Sequence, residues 1–304
     1  VYIYSEDYLG RKLGEASKVF LFGVLNSFSN LLKEEYGCNL IIKKGEKIEE
    51  LKKIIFETGA KKVFFNKSYT AKETKIEDQI KENFECESFK AKVIFDPTEI
   101  REIKIFTPFW KECLRRPDLV RAVLPKPNHI KTLKGLKSLK IEDLNLLPKQ
   151  KWATNLLKCW EFDYHKINDK FQYFIKNKLK NYKEERNIPN LDATSRISAY
   201  IRFGVVSVNS IFHEAVGKSD FFVSELGWRE FAFSSMFRLH KTLFSHQGSL
   251  LHVKQNLWEE ELKPEFKNFK FDKNNHFLEK WQKGETGEPL VDAGMKELWY
   301  TGYM

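Results

Sequence analysis

Short apolar runs alternate with amphipathic stretches over the first hundred residues, and this alternation restricts the chain to few architectures. VYIY at 1–4, NLIIKKG at 39–45, KKVFFN at 61–66 and KAKVIFD at 90–96 have the length and composition of strands. Between them run helical patterns: residues 16–37 closed by Gly37, residues 46–59 closed by Gly59, and residues 70–84. Strands alternating with helices predict a parallel sheet with right-handed crossovers, open and doubly wound. No GxGxxG or Walker A run stands at these turns, so nothing local announces a nicotinamide cofactor or ATP.

Beyond residue 100 the pattern changes twice. From 101 to 150, Pro108, Pro117, Pro125, Pro127 and Pro148 break it, while Lys126, Lys131, Lys134, Lys137 and Lys140 make it basic, as expected of a connector crossing the surface. From 151 to 304 helical signals take over, which predicts a second, all-α domain. A length of 304 residues suits two domains. No apolar run reaches the ~18 residues needed to span a bilayer, and VYIYSEDYLG lacks the features of a signal peptide. Cys38, Cys86, Cys113 and Cys159 are scattered, without the close pairs of a zinc or redox motif. These features predict a cytoplasmic protein with reduced thiols. The net charge of +10 favours a polyanionic partner.

The helical half concentrates its unusual residues in a few stretches. In NYKEERNIPNLDATSRISAYIRFG (181–204), Thr194 and Ser195 are expected at the mouth of a helix with Ser198 one turn on. Hydroxyls and free N–H groups there suit a phosphate or ordinary capping. In FFVSELGWREFAFSSMFRLH (221–240), Ser224 is a plausible N-cap, and Glu225, Trp228, Arg229 and Ala232 share one stripe. A Trp beside an acid and an arginine suits stacking on a base, or a buried core position with an intrahelical ion pair. In WQKGETGEPLVDAGM (281–295), Trp281 precedes a Gly-rich turn. Pro289 then opens a helix that ends at Gly302, with Val291, Met295, Leu298 and Trp299 as its apolar stripe. The histidines show no HExxH or other ligand spacing.

Taken in order, TSRISAYIRFG, ELGWREFAF and WQKGETGEPLVDAGMKELWYTGYM, behind an α/β domain and a basic linker, resemble the DNA photolyase and cryptochrome family. GEASKVFLFGVL and FTPFWKECL (106–114) extend the resemblance over nearly the whole chain. It is most like the class I, bacterial-type cyclobutane pyrimidine dimer photolyases. The resemblance implies a helical domain that holds FAD, and light-driven electron transfer from reduced flavin that splits a pyrimidine dimer in DNA. Carried over, Tyr182, Thr194, Ser195, Arg196, Ile197, Ser198, Phe222 and Arg229 correspond to FAD contacts. Arg186 and the run Glu225, Leu226, Gly227, Trp228, Arg229, Glu230, Phe231 and Ala232 correspond to the DNA pocket. There Trp228 stacks on the extruded dimer, Glu225 accepts from a base edge and Arg186 meets a phosphate. Trp281 corresponds to the tryptophan nearest the flavin in the photoreduction chain.

The pattern also departs from the family. A WFRxDLRxxDN strand and loop is absent, and residue 1 falls on what resembles the second strand of the sheet. The His-Asn-Arg and later segments that follow TGYM in members are absent too. The resemblance therefore implies an α/β domain lacking its first strand, a helical FAD-binding domain incomplete at its C-terminal side, and a monomeric piece truncated at both ends. Such a piece is expected to bind FAD weakly or not at all, and not to repair DNA by itself. Lys72 replaces the Asn of folate-binding relatives while Glu73 is kept, so no antenna chromophore is assigned. A cryptochrome-type light sensor is the alternative to a repair enzyme.

Overall fold

The computed structural model describes residues 1–8, 11–133, 135–245 and 275–303. Its contacts gather into two compact units, Val1–Pro148 with Glu161–His240, and Lys149–Trp160 with Lys241–Met304.

The first unit begins with β1 (Tyr2–Tyr4), a short antiparallel pair β2 (Asp7–Tyr8) and β3 (Arg11–Lys12), and α1 (Glu15–Tyr36). Next come β4 (Ile42–Lys44), α2 (Lys47–Thr58), β5 (Val63–Asn66), α3 (Ala71–Asn83) and β6 (Cys86–Phe89). Gly37 and Gly59 close α1 and α2 in the left-handed region, at φ 62° and 64°, where a side chain would be strained. β1 pairs in parallel with β4, Tyr2 opposite Ile42, and β5 with β6, Val63 opposite Cys86. Parallel pairing across helical crossovers is what the alternation predicts.

The two parallel ladders are not hydrogen-bonded to each other among the described residues.

Two expectations are corrected here. KAKVIFD is not a strand, because the partner of β5 is CESF at Cys86–Phe89. Val93, Ile94 and Phe95 are buried, which gives them a strand-like composition. Their backbone meets a side chain instead: Ile94 and Phe95 donate N–H bonds to the Glu230 carboxylate at 2.8 and 3.1 Å. The stretch from 101 to 150 is likewise more than a surface connector. Leu139 donates its N–H to the Ile42 carbonyl at 3.0 Å, and Ser138 Oγ accepts from Ile42 N at 2.9 Å. Ile141, Leu144 and Leu146 then join Tyr4, Leu21, Leu25, Leu40 and Ile42 in one buried cluster.

Helices follow: α4 (Phe106–Leu114), α5 (Lys151–Cys159, in the second unit), α6 (Tyr164–Asn177), α7 (Tyr182–Glu185), α8 (Ser198–Arg202), α9 (Val208–Ala215) and α10 (Asp220–Ser245). The second unit adds α11 (Asn275–Lys283) and α12 (Pro289–Thr301). The GETGEP turn before α12 is tied by Asp292, which accepts from Thr286 N at 2.8 Å, Thr286 Oγ1 at 2.7 Å and Gly287 N at 3.0 Å. These bonds hold the Asp292 carboxyl below its ordinary range. At the other end Gly302 turns left-handed and bonds back to Leu298 O. Trp160 donates its indole N–H to Thr301 O at 2.6 Å. Of the apolar stripe on α12, Met295 is buried, whereas Val291, Leu298 and Trp299 keep 37%, 39% and 64% of their surface exposed.

Candidate functional site

The site is organised by the first half of α10. This helix begins at Asp220, so Ser224 lies inside it; Ser219 stands before the first turn and accepts from Phe222 N at 3.4 Å. The 3.6-residue period then decides which residues of 225–232 reach solvent. Trp228 is 49% exposed and Ala232 is exposed, with Glu225 partly so. Glu225 is paired with Arg186, just beyond α7, and not with Arg229 on its own helix. The carboxylate raises the Arg186 pKa further. An acid, a guanidinium and an indole thus share one surface, as the motif implies.

The opposite face of α10 does different work. Leu226 and Gly227 are buried, and a Cβ on Gly227 would lie 2.6 Å from the Trp110 ring. Only glycine lets α4 and α10 approach this closely. The Glu230 side chain has no exposed surface. Besides Ile94 and Phe95, it accepts from Arg229 Nη1 at 2.9 Å, and Arg229 Nη2 donates to Lys92 O at 2.6 Å. Arg238 donates to the carbonyls of Pro97 and Ile100. Leu226, Gly227, Arg229 and Glu230, expected on the DNA side, are therefore turned inward. An eight-residue helical run cannot present every side chain to one partner. Burial pushes the Glu230 carboxyl up to about 7, against the pull of Arg229 and the N–H donors. Burial also lowers the Arg229 pKa.

The run from Thr194 to Ser198 lies before and at the start of α8, which begins at Ser198 and not at Thr194. Ala193 and Ile197 are buried, which leaves Thr194 and Ser195 half-buried and Arg196 and Ser198 exposed. Arg196 adopts φ 50° and reaches Asp192 at 3.5 Å. Hydroxyls and a guanidinium therefore line an edge whose apolar residues anchor it, a donor set that suits a diphosphate. Tyr182 and Phe222 are buried and meet edge-on at 5.2 Å, with Phe174 against both. Their rings form an aromatic core beneath α10. Trp281 lies on α11 in the second unit and is 46% exposed.

A cavity of about 1040 Å³ opens in the first unit, and Ser198 and Arg229 are among the residues that line it. It is lined by Tyr4 and Asn66, at the C-terminal ends of β1 and β5, and by Lys47, Lys72, Glu73 and Lys92. Such a position is where parallel α/β sheets take ligands. Glu73 is held by Lys92 Nζ at 2.6 Å and Thr70 Oγ1 at 2.9 Å, and burial lowers the Lys47 pKa.

Phe106 is the residue that sequence reasoning missed. It lies on the ring of Trp228. In FTPFWKECL, Phe106, Phe109, Trp110 and Cys113 recur at helical spacing, so an apolar face was readable. Its partner was not.

Together these features define a protein with a parallel α/β portion, a helical portion and an aromatic platform flanked by a carboxylate–guanidinium pair. Residues 1–128 match the DNA photolyase domain, and residues 222–304 match the FAD binding domain of DNA photolyase. A deoxyribodipyrimidine photo-lyase of Agrobacterium fabrum is 27% identical over 99% of this chain and 64% of its own length. Cryptochrome-2 of Arabidopsis thaliana is 27% identical over 96% of the chain and 50% of its own length. The crystal structure of a bacterial class III photolyase from Agrobacterium tumefaciens superposes with a TM-score of 0.84 at 27% identity, covering 100% of this chain and 63% of that one. The chain belongs to the photolyase/cryptochrome family. It spans between half and about two thirds of the length of these relatives.

Proposed function

We propose that the chain carries the DNA-facing and part of the FAD-holding machinery of a light-driven deoxyribodipyrimidine photolyase, acting on cyclobutane pyrimidine dimers. The observation that carries this reading is the half-exposed indole of Trp228 beside the Glu225–Arg186 pair. An indole face stacks on an extruded pyrimidine pair. Glu225 accepts from a base edge, and Arg186 exchanges its carboxylate partner for a backbone phosphate. Ala232, on the same stripe, adds a small surface that lets DNA approach.

Thr194, Ser195, Arg196 and Ser198 would hold the FAD diphosphate, with Ile197, Tyr182 and Phe222 as the packed layer beneath. FAD, when bound, supplies a photoexcitable electron donor. Trp281 is the residue we assign to electron delivery toward that group. Of the residues expected at the cofactor or the DNA, Arg229 and Glu230 are assigned instead to fixing α10 in place.

The test is to join to the chain the part of the Agrobacterium fabrum photo-lyase that it does not span, supply FAD and a reductant, add a duplex containing one thymine dimer, illuminate with blue light, and count restored thymines by chromatography. Light-dependent restoration, lost in Trp228→Ala, is the expected result. No restoration together with light-induced change in flavin absorbance favours the second reading, a cryptochrome-type sensor. That reading draws its support from plant cryptochromes, which match the chain at the same 27% identity as the photolyase of Agrobacterium fabrum.

A further inference from the structure

Phe106, the first residue of α4, lies flat on the indole of Trp228, with ring centroids 3.7 Å apart and planes 10° from parallel. Both rings meet Phe231 close to edge-on, each at 6.0 Å. Phe231 in turn packs on the buried ring of Phe109 at 5.3 Å. Isolated aromatic pairs favour offset or edge-on contacts over so close a face-to-face stack. The backbones therefore impose this one. α4 and α10 are locked together where Gly227 lies under Trp110, and the Glu230, Arg229 and Arg238 bonds tie α10 to residues 92–100.

We propose that Phe106 is a positioning residue for Trp228: by covering one face of the indole it leaves a single, fixed face on which an extruded pyrimidine dimer can stack. This inference rests on the reading of Trp228 as the floor of the DNA pocket. Its physical content is preorganisation. An unbacked indole on a helix surface samples several rotamers, and stacking on a ligand must first immobilise it. With Phe106 in place that ordering is already present in the free protein. Phosphate attraction, which depends on Arg186 and the basic surface, owes nothing to Phe106. Phe106 therefore governs discrimination between damaged and undamaged DNA, and leaves general DNA affinity alone.

The experiment measures dissociation constants of the full chain for a duplex carrying one thymine dimer and for the same duplex undamaged, by fluorescence anisotropy at fixed salt. Wild type, Phe106→Ala, Phe106→Leu, Phe106→Tyr and Trp228→Ala are compared, with circular dichroism as the check on folding. We expect Phe106→Ala to lower the preference for the dimer about tenfold, or about 1.4 kcal/mol, with affinity for undamaged duplex unchanged within about twofold. Phe106→Tyr, which restores a flat ring, retains the preference. Should the alanine variant fail to fold, Phe106→Leu fills the volume without a planar face, and the same loss is expected of it. An equal loss for both duplexes would mean a merely structural role and overturns the proposal. Retained preference in folded Phe106→Ala or Phe106→Leu, with preference lost in Trp228→Ala, overturns it while the reading of Trp228 stands. A wild-type chain with no preference at all removes that reading and this inference with it.

Discussion

Glu230 shows how a single residue changes meaning between sequence and structure. In the sequence it sits within ELGWREFAF, two positions after the stacking tryptophan, and the resemblance places it at the DNA. In the fold it is fully buried and organises the backbone of residues 92–95 through Ile94, Phe95 and, by way of Arg229, Lys92. Tyr69 and Cys113 feel the same charge, and burial raises both of their pKa values, with nearby carboxylates adding to the effect. With the Glu230 carboxyl raised from 4.5 to about 7, the folded chain holds a proton between those values that the unfolded chain has released. Stability should therefore fall as pH rises through this window, by about 3 kcal/mol from this group. Below the window both states are protonated, and above it both are ionised, so its contribution to the slope vanishes. In Glu230→Gln the amide oxygen still accepts from Ile94 and Phe95, but nothing titrates. Urea unfolding between pH 4.5 and 7.5 should show a flatter stability profile for the variant than for wild type.

At the scale of elements, the close approach of α4 and α10 is set by the absence of a side chain. Gly227 is helical and needs no special φ, so its glycine requirement is steric: a Cβ there would sit 2.6 to 2.9 Å from the Trp110 ring. Gly227→Ala should destabilise the chain by about 1–3 kcal/mol through overpacking, read as a lower urea midpoint. Smaller indole-to-phenyl volume in Trp110→Phe should recover part of that loss in the double variant. Four helix ends were legible because their signals are local, whereas Ser224 lies inside α10 and α8 begins at Ser198, not at Thr194. Pro289, Gly302, Gly37 and Gly59 act within their own turns, and each stands where the sequence puts it. The run at 90–96 was misread because its burial is real while its hydrogen-bond partner lies 135 to 136 positions away. Ser138 to Leu146 was misread for the same reason, its anchor being β4.

For the molecule as a whole, charge is the property that carries furthest from composition. A net +10 should make binding to undamaged duplex fall linearly in log Kd against log salt concentration, whereas Phe106 and Trp228 variants should leave that slope unchanged. A titration between 50 and 300 mM salt checks both, and a wild-type slope near zero would remove electrostatics from the account. No helix among the described residues is long and apolar enough to cross a membrane. The two compact units divide the proposed functions: FAD-phosphate and DNA residues lie in the first, and Trp281 lies in the second.

The alternation that yields parallel pairing, the helix ends at Gly37, Gly59, Pro289 and Gly302, the family, and the motif holding Trp228 are all written in the sequence. These depend on neighbours within a few positions or on the order of motifs, and both survive in a linear string. Orientation came only with folding: Glu225 toward Arg186, Glu230 toward Ile94 and Phe95, and Phe106 against Trp228. A helix fixes which residues share a face. Which face meets solvent depends on what packs against the other, and for α10 that is residues 92–100 and α4, more than a hundred positions earlier in the chain.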